Sequence, residues 1–213
     1  MTFVSGGETV EENVMTTLRA TTTTWTGPGR IEREQLVQFG VWMFLATVVM
    51  LFAAFTSAYI VRRAGTDWRS IAMPSVLWLN TIVLGASSLA AEVGRRAAER
   101  SRWSAARKGF IGAVLLGVVF LGGQLAGWRA LAELGVFVPT SPQASFFYML
   151  TGVHAVHLMA GLVVLLVTLP ALRAAGGPTL GAVSPGVRAR LAATFWHFFG
   201  ALWVYLFVLF AWF

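Results

Sequence analysis

The stretch FFYMLTGVHAVHLMAG, residues 146–161, sets His154 and His157 three positions apart in an almost wholly apolar run, and His197 follows in TFWHFFGALW. Imidazoles in such surroundings ligate a metal or haem, exchange protons, or lock helices together by hydrogen bonding. Positions i and i+3 of a helix face the same way. A haem with two histidine ligands takes one from each side of its plane, so His154 and His157 cannot serve one haem between them. His197, about two turns beyond Arg190, could supply the partner, and a three-histidine metal site is one reading of the sequence. The favoured reading is plainer: neutral imidazoles bonded to backbone or side-chain groups of neighbouring helices.

The other polar groups in apolar stretches are Asn80, Gln124, Ser145 and Thr151. Each is read as an interhelical hydrogen-bonding group, worth about 1 kcal/mol or less. Small residues at helical spacing, Ala54 with Ala58 and Gly112 with Gly117, Gly122 and Gly123, suit close helix contact. No carboxylate falls inside the apolar stretches, so the acidic signature of proton relays and transporters is missing. Cysteine is absent, which excludes disulfides, zinc–thiolate sites, iron–sulfur clusters and thiol catalysis as intrinsic functions.

The elements that must position these residues follow from charge and hydropathy. Of the 213 residues 57% are hydrophobic and only 12% charged, too oily a balance for a soluble chain. Crossing about 30 Å of hydrocarbon takes about 20 apolar residues. Charge-free windows predict five such helices, at about 35–61, 70–91, 109–128, 144–172 and 191–213. Pro139 and Pro142 interrupt the start of the fourth window, which moves its helix to about Ala144. The predicted fold is an all-α polytopic membrane protein, a five-transmembrane-helix bundle at 35–213 preceded by a polar segment at 1–34. That segment carries TTTTWTGPGR and lacks the apolar region of a signal peptide.

Twelve lysines and arginines fall on one side, among them Arg95, Arg96, Arg188 and Arg190, against Arg62, Arg63, Arg69 and Arg129 on the other. This bias predicts a cytoplasmic N-terminus and a C-terminus outside, or periplasmic. The net charge of +7 is then read as arginine beside anionic lipid rather than as a nucleic-acid footprint. The last helix, FWHFFGALWVYLFVLFAWF, has large apolar groups on nearly every face, so lipid or other helices must surround it. A bundle of this kind with no charged interior reads as a subunit of something larger.

Four segments, in order, resemble subunit III of the haem–copper oxidases, the cytochrome c oxidase family. SFFYMLTGVHAVHLMAGLVVLL (145–166) is similar to the family run Tyr/Phe-x-x-Thr-Gly-x-His-x-x-His-x-x-x-Gly, which here uses Thr151, Gly152, His154 and His157. TFWHFFGALWVYLF (194–207) resembles the family's aromatic-Trp-His-Phe segment, with Trp196 and His197. GVWMFLATVVMLFAAFTSAYIVRR (40–63) looks like the family helix Trp-x-Phe-Leu-x-Ser-Glu-x-Met-x-Phe, and FLGGQLAGW (120–128) resembles Phe-x-x-x-Gln-x-x-x-Trp through Gln124 and Trp128. The resemblance covers Leu36 to Phe213 and matches the short five-helix form of the family. Two acidic positions differ: the family's membrane glutamate falls at Val48, and the aspartate that often follows Trp-His-Phe falls at Gly200. In the family that glutamate faces a histidine of the fourth-helix motif, a pair this chain does not make.

The resemblance implies a non-catalytic subunit of a bacterial terminal oxidase that reduces O2 to water and pumps protons, in the plasma membrane. It implies no haem, copper or other metal in this chain, those being held by partner subunits. The histidines, with Trp196, Gln124, Trp128, Thr151 and Gly152, then become structural or proton-related groups. Oxidase subunit I is the main implied partner, with subunit II and small subunits beside it. Bound phospholipid is implied too, and Arg95, Arg96, Arg188 and Arg190 are candidates to meet its phosphates. A quinol oxidase or a nitric-oxide-reductase-associated homologue is an alternative within the family. An alternative of another class is a haem- or metal-binding membrane anchor built on His197 with His154 or His157.

Overall fold

The computed structural model describes residues 30–68, 71, 73–175 and 183–212. These fold into α1 (Arg30–Arg63), α2 (Ser75–Glu99), α3 (Trp103–Glu133), α4 (Pro142–Arg173) and α5 (Pro185–Trp212), with a 3-10 turn at Val138–Thr140. All five helices are long and apolar enough to cross a membrane, and the described residues include no strand. Residues 1–29, Arg69, Ser70 and Phe213, which enter the predicted segments and charge bias, lie outside the described residues.

The helices mostly outrun the charge-free windows. α2 continues from the predicted 91 to Glu99, and α3 runs from Trp103 to Glu133 rather than from 109 to 128. Backbone hydrogen bonding carries on into the interfacial layers, where a charged side chain still reaches water. The α2 start is later than predicted, at Ser75, because Pro74 caps it and disfavours helical geometry in the preceding residue. The α4 start is earlier than Ala144. Pro142 begins the helix instead of breaking it, since a first-turn proline lacks only an N–H that has no partner there. Ser141 caps this turn, its hydroxyl accepting from the Ala144 N–H at 3.2 Å.

Helices α2 to α5 form an antiparallel bundle in which sequence neighbours pack together and α5 returns against α2 to close the ring. Buried positions recur at steps of three and four: Leu77, Asn80, Leu84, Ser87 and Ala91 on α2, and Phe110, Ala113, Gly117, Phe120 and Gln124 on α3. That spacing is the seam of left-handed helix packing. The aromatic α5 lies within the bundle, with Trp196, Phe199 and Trp203 buried, which explains its missing polar stripe. Among the described residues α1 leans mainly on α4 and α5. Leu36, Phe39, Trp42, Met50 and Val61 on it are exposed in the single chain.

The small residues divide by face. A methyl group on Gly117 would strike the Trp196 ring at 2.7 Å, and one on Gly123 would strike the Asn80 side chain. Gly112 has ordinary space, with Ala90 at 3.6 Å, and nothing lies within 4 Å of Gly122. Ala54 and Ala58 line an open cavity rather than a tight helix contact. Small size marks helix contact only on the inward face, and the sequence does not say which face that is.

Candidate functional site

The two histidines of α4 share one neighbour and then diverge. Both rings lie beside Phe199 of α5, at centroid distances of 6.3 Å for His154 and 5.5 Å for His157. Three helical residues leave an offset of about 60°, which sends them to different compartments. His154 is 1% exposed and enters the four-helix core beside Trp203, at 5.5 Å. His157, half-buried, enters the seam with α1, where Phe44 and Phe52 stand 6.2 and 5.9 Å away. Its Nδ1 lies 2.7 Å from the carbonyl of Val153, which assigns a proton to Nδ1. Val48, one turn from both phenylalanines, is buried on this side of α1. Val48 therefore lies on the same face of α1 as the two phenylalanines that flank His157.

Trp196 stands at the centre of a three-helix link. Its Nε1–H donates to Ser87 Oγ at 3.1 Å, and that hydroxyl donates to the Ala113 carbonyl at 2.7 Å, which joins α5, α2 and α3. The indole is fully buried, and Gly117 and Gly161 leave the space its ring occupies. Trp128 Nε1–H donates to Thr151 Oγ1 at 3.2 Å, and Thr151 donates on to the Phe147 carbonyl at 2.6 Å. Gly152 has the Trp128 ring 3.9 Å from where a Cβ would stand. Asn80 Nδ2 donates to the Phe120 carbonyl at 2.9 Å, an interhelical bond of the expected kind. Gln124, 2% exposed, makes no side-chain hydrogen bond to any described residue.

His197 does not join the other two. Its Nε2 lies 3.5 Å from Glu92 Oε2 on α2. Arg95 grips Glu92 through Nε and Nη2, both at 2.7 Å, and pairs with Glu99 through Nη1. Arg96 Nε donates to the same Glu92 carboxylate at 2.7 Å. Glu92 lies one residue beyond the second predicted span, which ends at Ala91. The signal available was the i+3 and i+4 spacing of Arg95 and Arg96 from Glu92. The contact with His197 had no signal in the chain. Among the described residues no group of three or more His, Asp or Glu side chains is placed to hold a metal ion.

The remaining candidate arginines differ in surroundings. Arg190 donates to Gln38 Oε1 at 3.4 Å. Arg188 donates from Nε to the Val183 carbonyl at 3.2 Å and borders an apolar cavity of about 310 Å³ lined by Val37, Val41, Val163, Val167 and Leu191. At the opposite end of the bundle, Arg62 holds Asp67 through two bonds of 2.8 and 2.5 Å. The guanidinium keeps the Asp67 carboxyl below the ordinary aspartate value. This pair borders an open cavity of about 1220 Å³ together with Ser57, Thr140 and Ser145.

The arrangement offers imidazole rings among aromatic side chains, hydrogen-bonded links between helices, and ion pairs at Arg62–Asp67 and around Glu92. Those parts hold a bundle in one register. The family model described as cytochrome c oxidase subunit III matches residues 19–213. The chain is 32% identical over 186 residues to a cytochrome c oxidase subunit 3 of Corynebacterium diphtheriae, covering 84% of this chain and 88% of that one. It is 31% identical over 200 residues to a Synechocystis protein of the same name, covering 90% and 82%. A probable cytochrome c oxidase subunit 3 of Mycobacterium tuberculosis is 29% identical over 186 residues, covering 83% and 88%.

Proposed function

The chain belongs to the cytochrome c oxidase subunit III family, and from that premise we propose that it is the non-catalytic third subunit of a bacterial terminal oxidase, packed on subunit I. It is a multi-pass membrane protein of an oxidase complex, and the reading adds its work there. Haem and copper belong to the partner subunits, and O2 reduction and proton pumping take place outside this chain. The N-terminus is cytoplasmic, on the strength of the twelve basic residues on that side.

The observation that carries the reading is the state of α1. It meets the rest of the chain along one edge, and its exposed Leu36, Phe39, Trp42 and Met50 need lipid or another subunit against them. Arg188 above its apolar cavity supports a bound phospholipid, with an acyl chain in the cavity and the phosphate at the guanidinium. Arg95 and Arg96 are already engaged by Glu92, which makes Arg188 the stronger of the proposed phosphate contacts. Support of proton uptake rests here on structure rather than on a carboxylate relay, because Val48 and Gly200 stand at the two acidic positions of the family.

The test is purification of this chain in mild detergent from its native membrane, with mass spectrometry of the co-purifying chains and a visible spectrum. Association with a haem–copper subunit I that accounts for all the haem supports the reading. A chain that purifies alone with its own Soret band overturns it. For the supporting role, an oxidase lacking this chain should lose activity over successive turnovers, and unchanged activity through many turnovers would count against that role.

A further inference from the structure

One level of the bundle interior is polar on every helix that lines it. Trp128 on Thr151 fixes the register of α3 against α4, and one helical turn from that contact brings Gln124 level with His154. The Trp203 ring ties the two sides together, 5.5 Å from His154 and 5.0 Å from Phe120, which lies one turn from Gln124. The other polar groups at this level are satisfied. Asn80 donates to the Phe120 carbonyl, and Trp203 Nε1–H donates to Thr81 Oγ1 at 3.0 Å. Four side-chain atoms remain: Nε2 and Oε1 of Gln124 and both ring nitrogens of His154. Each exposes less than 1 Å² and has no hydrogen-bond partner among the described residues.

Buried polar atoms are normally paired, and the cost of leaving them unpaired rises where no solvent reaches. The two groups present a matched set. The amide brings donors and an acceptor, and a neutral imidazole brings one donor and one acceptor. Among the described residues no Asp, Glu, Lys or Arg lies at this level to select an ion over a neutral ligand. We propose that Gln124 and His154 form a binding site for a single internal water molecule that bridges α3 to α4. A water molecule, with two protons and two lone pairs, can bond both side chains at once, as buried waters do with otherwise unsatisfied groups. Held by neutral groups, this water is a structural ligand that fixes the tautomer and ring orientation of His154. The proposal concerns the chain's own interior and does not depend on the oxidase assignment.

The experiment is a cryo-electron microscopy structure of the full chain, with whatever chains accompany it, in lipid nanodiscs at a resolution that shows ordered water. The expected result is a discrete density peak about 2.7–3.2 Å from both a Gln124 amide atom and a His154 ring nitrogen. Direct side-chain contact between Gln124 and His154 without such a peak overturns the proposal. So does a peak that reaches only one of them. In thermal unfolding, Gln124→Leu and His154→Phe should each lower Tm by more than the double variant does, because the double variant leaves no polar atom stranded. Losses that simply add across the two sites would also overturn it. If a single variant fails to fold, the wild-type density alone decides.

Discussion

Replacing Gly109 by alanine tests how closely α2 and α3 are held. A Cβ at this position would stand 2.6 Å from both Cα and N of Gly94 and 2.9 Å from the Ala90 carbonyl oxygen. Ordinary carbon contacts lie at about 3.5–4.0 Å, so the two helices must part by about 1 Å. All three obstructing atoms are backbone, and no side-chain rotation relieves the overlap. Forced repacking of this sort costs about 1–3 kcal/mol, and the upper half of that range applies where backbones move. Alanine returns about 1 kcal/mol of helix propensity. The net loss is then about 1–2 kcal/mol, roughly a 5- to 30-fold rise in the unfolding equilibrium constant. Gly122→Ala is the matched control, since nothing lies within 4 Å of that site, and it should be neutral or slightly stabilising. SDS titration of the full chain in mixed micelles, followed by tryptophan fluorescence, gives both values. Equal midpoints for the two variants would refute the claimed backbone contact. The displaced α2 should also carry Glu92 away from His197, whose contact is already at 3.5 Å.

Trp196→Phe removes the donor to Ser87 while keeping most of the ring, and should cost about 1–2 kcal/mol in the same titration, against about 3–5 for Trp196→Ala. A phenylalanine variant as stable as the wild type would show that the indole bond contributes nothing. Glu92→Gln removes the carboxylate shared by Arg95, Arg96 and His197, and because Arg96 and His197 are 65% and 37% exposed its loss should cost no more than about 1 kcal/mol. The difference should shrink in 1 M NaCl, and thermal unfolding in nanodiscs at two salt concentrations checks it. The Arg62–Asp67 pair depresses the aspartate, so its contribution is complete above the ordinary value of 3.8 and is lost as pH falls through the lowered folded-state value. A carboxyl carbon NMR titration of Asp67 should therefore show a midpoint below 3.8, moving up to the ordinary value in Arg62→Gln.

Much of the site was legible in the chain, though its partners were not. Spacing put His154 and His157 close enough on α4 to share one α5 ring, Phe199. The separation of His157 into the seam beside Phe44 and Phe52 needed the position of α1. Spacing also overstated Gly122, which faces outward, and Pro142, which starts a helix where the sequence suggested an interruption.

By itself, the sequence determined the number of spans and the chemistry excluded from them, because charge and hydrocarbon do not mix and a run of about 20 apolar residues has few other uses. It could not say which face of each span looks inward. In lipid the outer face is as apolar as the core, so exposed Leu115 and Val119 and buried Phe120 and Leu131 on α3 look alike in composition. Tertiary structure decided that question, and with it the Trp196–Ser87 link, the meeting of His197 with Glu92 and the unpaired level at Gln124 and His154. Each of those depends on groups that are 30 to 110 residues apart, whose only connection is the packing of one helix against the next.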